Sequence, residues 1–167
     1  MYPSKLCLAV ALPVVLAFTF PSVGRCQRPM RGPLPQEQQE IIHYLADHHK
    51  ELKREVTLLD DGYEAKTTTK NKEVAAKLKQ HFQYMEKRLD SGAMVRRWDP
   101  AFVELVKYYD QLTTKAEMLD DGIRVVVTGK TPEAVKVAQN HAKVVSQFAE
   151  KGMAAVQEEH APAVDGK

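Results

Sequence analysis

Met118-Leu119-Asp120-Asp121-Gly122-Ile123 restates Leu58-Leu59-Asp60-Asp61-Gly62-Tyr63 sixty residues later. In each copy a pair of acidic turn residues and a glycine separate strand formers, and the glycine can supply the positive φ that a tight hairpin demands. Working outward, residues 41–94 lie on residues 101–154 at the same offset without a gap, and 11 of the 54 pairs are identical. They include Glu73 over Glu133, His81 over His141 and Gly92 over Gly152. A repeated unit of this kind predicts a pseudo-twofold domain, because one unit cannot bury its own apolar face.

Around each hairpin the spacing is helical. Ile41, Leu45, His48, Leu52 and Val56 fall three and four apart, one face of a first helix, with strands expected at 56–59 and 63–69. Asn71 caps a second helix running to about Leu89, and Gly92 stops it. Asp99-Pro100 opens a third helix reaching about Leu112, and Thr131-Pro132-Glu133 opens a fourth that ends near Gly152. The expected class is α+β: a tandem helix, hairpin, helix repeat whose four strands form one antiparallel sheet covered by helices. Two separate hairpins on a four-helix bundle fit the same pattern and stand as the alternative.

Lys5 precedes an apolar run from Leu6 to Phe20, followed by Pro21 and small residues, the layout of a secretory signal peptide cleaved near Gly24. A secreted or periplasmic location follows, with no membrane contact after cleavage; the run is short of the roughly 20 residues that span a bilayer. Residues 25–37, with Pro29, Pro33 and Pro35, read as a linker, 38–157 as a single domain of two repeats (38–94 and 98–154), and 158–167 as a flexible tail. Of the two cysteines, Cys7 leaves with the signal, so no intramolecular disulfide forms in the mature chain. The formal charge is +2, and basic residues alternate with acidic ones, as in Lys50-Glu51-Leu52-Lys53-Arg54-Glu55. Nucleic-acid binding needs a one-signed stripe, and none is present.

The histidines hold the candidate chemistry. His81 sits mid-stripe among Val74, Leu78, Met85 and Leu89, and His141 among Ala134, Ala138 and Val145 with Phe148 beside it, so each repeat aims one imidazole at the core. His48 and His49 flank the first helix's apolar face, His43 points away, and their repeat partners Tyr108 and Tyr109 are hydroxyl donors. Three readings compete. The pair is structural, each ring donating to a carbonyl or to a side chain such as Tyr108. Alternatively it binds copper, zinc or non-covalent haem, with Met85 one turn from His81 as a soft ligand and His48 and His49 as further candidates. Or His81, His141, Tyr84 and Tyr108 line a small-ligand pocket between the repeats. Trp98, with Arg96 and Arg97 in the loop between the repeats, is expected as a hydrophobic cover over the repeat junction, with anion binding or stacking on a ring as the alternative.

Enzyme motifs are largely missing: there is no glycine-rich phosphate loop, no Gly-x-Ser-x-Gly elbow, no Cys-x-x-Cys-His and no His-Glu-x-x-His. The expectation is a non-enzymatic domain, binding a small ligand or metal, or serving as an interaction module or homodimer. His49 before a hairpin, the Trp98-Asp99-Pro100 junction and the prolyl-acidic helix start leading to His141 together resemble a group of small exported bacterial proteins with this tandem repeat. The resemblance runs from about Gln38 to Gly152 and brings no functional residues with it. Some members are called transcarbamoylases, which this chain does not fit: it is too short for that two-domain enzyme and lacks its Ser-Thr-Arg-Thr phosphate loop. Similar sequences have a histidine near the position of Tyr108, and its absence here weakens a symmetric four-histidine site.

Overall fold

Two hairpins meet along their inner strands and build one sheet. The computed structural model describes residues 32–165; the expected signal peptide and most of the expected linker lie outside the described residues. In chain order the elements are α1 (Gln36–Asp47), β1 (Lys53–Leu59), β2 (Gly62–Thr68), α2 (Lys72–Asp90), α3 (Pro100–Tyr108), β3 (Leu112–Leu119), β4 (Gly122–Gly129), α4 (Pro132–Lys151) and α5 (Met153–Gln157). A single 3-10 turn follows α1 (His49–Glu51) and another follows α3 (Tyr109–Gln111). The fold is α+β, with one antiparallel sheet of order β1-β2-β4-β3. Because β2 pairs with β4 from Gly62 opposite Thr128 to Thr68 opposite Gly122, the arrangement of two separate hairpins is excluded.

The register is centred on Ala65 opposite Val125, residues that stand sixty apart. Each end of the seam is closed the same way: the Gly129 amide donates to the Asp61 carbonyl, and the Thr69 amide to the Asp121 carbonyl. Here the role of the turn glycines differs from expectation. Neither Gly62 nor Gly122 has a positive φ. They are needed because a Cβ at Gly62 would collide with the Val127 carbonyl and one at Gly122 with the Thr67 carbonyl, where the strands approach most closely.

The caps form as the sequence implies. The Asn71 side chain accepts from the Glu73 and Val74 amides, Asp99 from Ala101 and Thr131 from Ala134, each satisfying a helix-end donor. The first and third helices end earlier than their apolar spacing suggests. Strand pairing claims the chain from Lys53, opposite Thr68, and from Leu112, opposite Gly129, and a 3-10 turn bridges the gap without disturbing the spacing.

Helices cover one sheet face. Ala138 and Ala142 of α4 pack directly on Tyr63, Ala65 and Val127, while Val137 and Val144 meet Ala101, Phe102 and Leu105 of α3. The other face is polar, with Arg124 paired to Glu64 and Glu117, and Lys53 to Glu55. No described helix is long and apolar enough to cross a membrane. The segment after α5, expected to be a flexible tail, is strapped down as far as Asp165. Buried Asp99 accepts from the His160 amide and from its Nδ1 at 2.8 Å, and buried Glu104 accepts from the amides of Ala163, Val164 and Asp165. Charge-assisted bonds to fully desolvated carboxylates are among the stronger polar contacts in a fold.

Candidate functional site

Between the covering helices and the sheet the packing opens into a cavity of about 1000 Å³. Interiors normally pack with few voids larger than a water molecule, so a space of this size is a built feature, and it lies at the top of the range for small-molecule sites. All four strands contribute, through Arg54, Tyr63 and Thr67 on the first hairpin and Thr114, Ile123 and Val127 on the second. The roof is α2, with Leu78, His81, Phe82, Met85 and Leu89, and α4, with Ala138, His141, Val145 and Phe148; Leu45 and Ala46 of α1 close one side. The exposed members of the lining, Gly32, Pro33, Gln39, His43, Arg97 and Trp98, mark its mouth.

The expected core stripe of α2 therefore faces this space instead of being packed solid. A stripe at helical spacing says only which side turns inward. His81 and His141 both line this cavity, each half-buried. Burial pushes the His81 imidazole down to about 4 from its ordinary 6.5. His141 is likewise pushed down to about 4, by burial first and then by the neighbouring Arg54 charge. Both rings are neutral at physiological pH. Neither makes a hydrogen bond to any described residue, and His81 Nδ1 is buried with no partner; a buried polar atom left so is costly and asks for an explanation. The Phe102 ring meets His141 edge-on, with centroids 5.8 Å apart.

The remaining candidates divide. Met85 and Trp98 line the cavity; His48, His49, Tyr84 and Tyr108 do not. His48 Nδ1 bonds the Tyr44 carbonyl at 2.8 Å and His49 Nδ1 the Ala46 carbonyl at 2.7 Å, so both tie off the end of α1. Gly152 packs against His49 so closely that a Cβ would strike its ring. The Tyr84 hydroxyl accepts from Arg88, and Tyr108 packs at the edge of the α3–α4 cluster. Tyr109 takes the lining place expected of Tyr108, and burial together with Asp90 raises its phenol. His43, expected to point away, stands at the mouth. Trp98 is 53% exposed there, with the Arg96 guanidinium 4.1 Å from its ring centre, and so does not seal the junction. Among the described residues no three His, Cys, Asp or Glu side chains come together to hold a metal ion.

Arg54 went unremarked in the sequence because it lies in a run of alternating charges. It reaches inward from β1, where Nη1 donates to Thr67 Oγ1 at 2.8 Å and Nε to Ser146 Oγ at 3.2 Å. Burial lowers its guanidinium, and Tyr63 beside it is pushed up to about 12. The lining thus offers several guanidinium groups with Arg54 among them, one carboxylate (Glu86), two neutral imidazoles, two phenols (Tyr63 and Tyr109) and two thioethers (Met85 and Met94) in an otherwise mainly aliphatic and aromatic wall. Compared with protein-family models, curated proteins and solved structures, the chain matches none.

Proposed function

We propose that this protein is a non-enzymatic binder of an apolar small molecule, held in the cavity between the two repeats. The observation that carries the reading is the cavity itself, where a domain of this size would otherwise pack its core. A mostly apolar wall with a few convergent polar groups is the usual make-up of such a site. Binding fits better than catalysis because the hydroxyls beside Arg54 are engaged: Thr67 accepts from Arg54, while Ser146 accepts from Arg54 and donates to the Ala142 carbonyl. A nucleophile needs a base within reach of its proton, and neither imidazole bonds these hydroxyls.

A neutral fluorescent probe, N-phenyl-1-naphthylamine, tests this directly. Saturable uptake at one site per chain is expected, with a rise in emission. Val125, at the centre of the sheet and on the cavity wall, gives the control: Val125→Trp narrows the space at its middle and should weaken uptake while the thermal midpoint holds or rises. Absence of uptake by the native chain, or equal affinity in the narrowed variant, overturns the reading.

A second reading is supported by the partnerless His81 Nδ1. Two neutral imidazoles and the Met85 thioether are the donors that copper or haem iron accepts, and His81, His141 and Met85 share the cavity. Titration with copper, zinc and haemin, read by visible absorption and by the thermal midpoint, separates it from the first. A 1:1 spectral change lost in His81→Gln and His141→Gln supports it, and no change with any of the three removes it.

A further inference from the structure

Arg54, Arg88 and Arg96 all reach the cavity wall from buried or half-buried positions, and their partners differ. Arg96 pairs with the Asp99 carboxylate. Arg88 is occupied by the Gly32 and Met94 carbonyls and the Tyr84 hydroxyl. Arg54 has only the two neutral hydroxyls of Thr67 and Ser146, its Nη2 has no partner among the described residues, and no described carboxylate pairs with it. A guanidinium has five N–H donors in a planar fork, of which two are used here. Removing such a charge from water without a counter-charge is strongly unfavourable, so buried arginines are normally paired.

We propose that Arg54 is the anchor for an anionic head group and that the ligand is a long-chain aliphatic carboxylate. This rests on the ligand-cavity reading above. A carboxylate matches the free edge of the guanidinium fork in a way that a neutral ester or alcohol does not. The shape of the space favours a chain: it is lined from β1 to β3, three interstrand steps of roughly 4.8 Å, or about 14 Å across the sheet. Among the inward strand positions the polar groups cluster on the first hairpin, where Arg54, Tyr63 and Thr67 stand against Thr114, Ile123 and Val127 of the second, while Glu86, Arg88, Arg96 and Tyr109 line the space from outside the sheet. The head group therefore sits toward β1 and the tail runs toward β3, beneath Leu89 and over Leu112.

The experiment compares cis-parinaric acid with its methyl ester, both read by fluorescence on the full chain, in the native protein and in Arg54→Gln. The native chain should bind the acid at least about tenfold more tightly than the ester, as a charge-assisted bidentate contact implies. Arg54→Gln should remove that preference and leave ester affinity unchanged. Equal binding of acid and ester by the native chain overturns the anchor and needs no variant to show it, so misfolding of Arg54→Gln cannot protect the proposal. A preference that survives Arg54→Gln overturns it as well. If N-phenyl-1-naphthylamine and the ester bind while the acid gains nothing, only the anchor fails; if no probe binds, the cavity reading fails with it. Haemin also carries carboxylates and is titrated in parallel. A Soret change that vanishes in His81→Gln, with no acid-over-ester preference, overturns the aliphatic assignment.

Discussion

The two hairpins share a frame and differ in what they turn toward the cavity. Gly62 and Gly122 each clear a carbonyl of the opposite inner strand, and Asp61 and Asp121 each accept the amide that closes the seam. These positions are dictated by backbone approach, where a side chain has no room. The inward positions are free of that constraint, and there Arg54 stands against Thr114, Tyr63 against Ile123 and Thr67 against Val127. One half is a polar pole and the other is mainly apolar. Among the polar lining side chains only the imidazole, His81 against His141, is kept on both sides of the empty space; the apolar pairs Leu45 with Leu105 and Leu52 with Leu112 are kept as well. The difference separates what the fold needs from what the cavity holds, and it can be broken from either side.

The largest effect belongs to the shared frame. Gly62→Ala and Gly122→Ala each drive a Cβ into backbone that cannot swing away, so each should destabilise by more than about 3 kcal/mol, among the larger single-residue costs. Urea unfolding checks this. Equal losses make the two hairpins energetically equivalent, whereas a small loss at one of them shows that its seam can open.

Next comes the imidazole pair. With folded values near 4 against an ordinary 6.5, the unfolded chain binds more protons than the folded one between those limits. Stability is therefore full above pH 6.5 and is lost as the pH falls toward 4. From pH 7 to pH 5 each histidine should cost about 2 kcal/mol, and His81→Gln with His141→Gln should flatten this limb. A stability curve that keeps its acid limb in the double variant would assign the limb to other groups and place the imidazoles in contact with water.

The frame was legible in the sequence because its causes are local: turn residues at a fixed offset, caps at helix starts and one apolar face per helix. The cavity was not. A stripe such as Leu78, His81, Met85 and Leu89 reads the same whether it meets packed side chains or empty space. Arg54 was hidden by an early boundary error. The spacing of Leu52 and Val56 continues that of α1, which leaves Arg54 on the polar side of a supposed helix; once β1 begins at Lys53, strand alternation turns it inward. The C-terminal strap was illegible for another reason. Its partners, Asp99 and Glu104, lie about sixty residues upstream, and nothing in the polar run from Glu158 signals that their buried carboxylates collect its amides.

The smallest effect sharpens the comparison most, because its sign is unusual. A buried cation normally supports a fold through its partner, and deleting one member of a buried pair is destabilising. Arg54 has no charged partner, so in the empty protein its desolvation is offset only by the Thr67 and Ser146 hydroxyls. Arg54→Leu should leave the ligand-free fold unchanged or stabilise it by about 1 kcal/mol, and relief of the neighbouring positive charge should raise the lower end of the His141 limb and so shorten it. Thr114→Leu, the same change on the opposite strand, removes no charge and should move neither quantity. Urea unfolding across the acid range, on the two variants side by side, measures both. A loss of several kcal/mol for Arg54→Leu would mean that the guanidinium is satisfied in the empty protein and that the first hairpin needs it for the fold, which would erase the distinction between frame and cavity at this position.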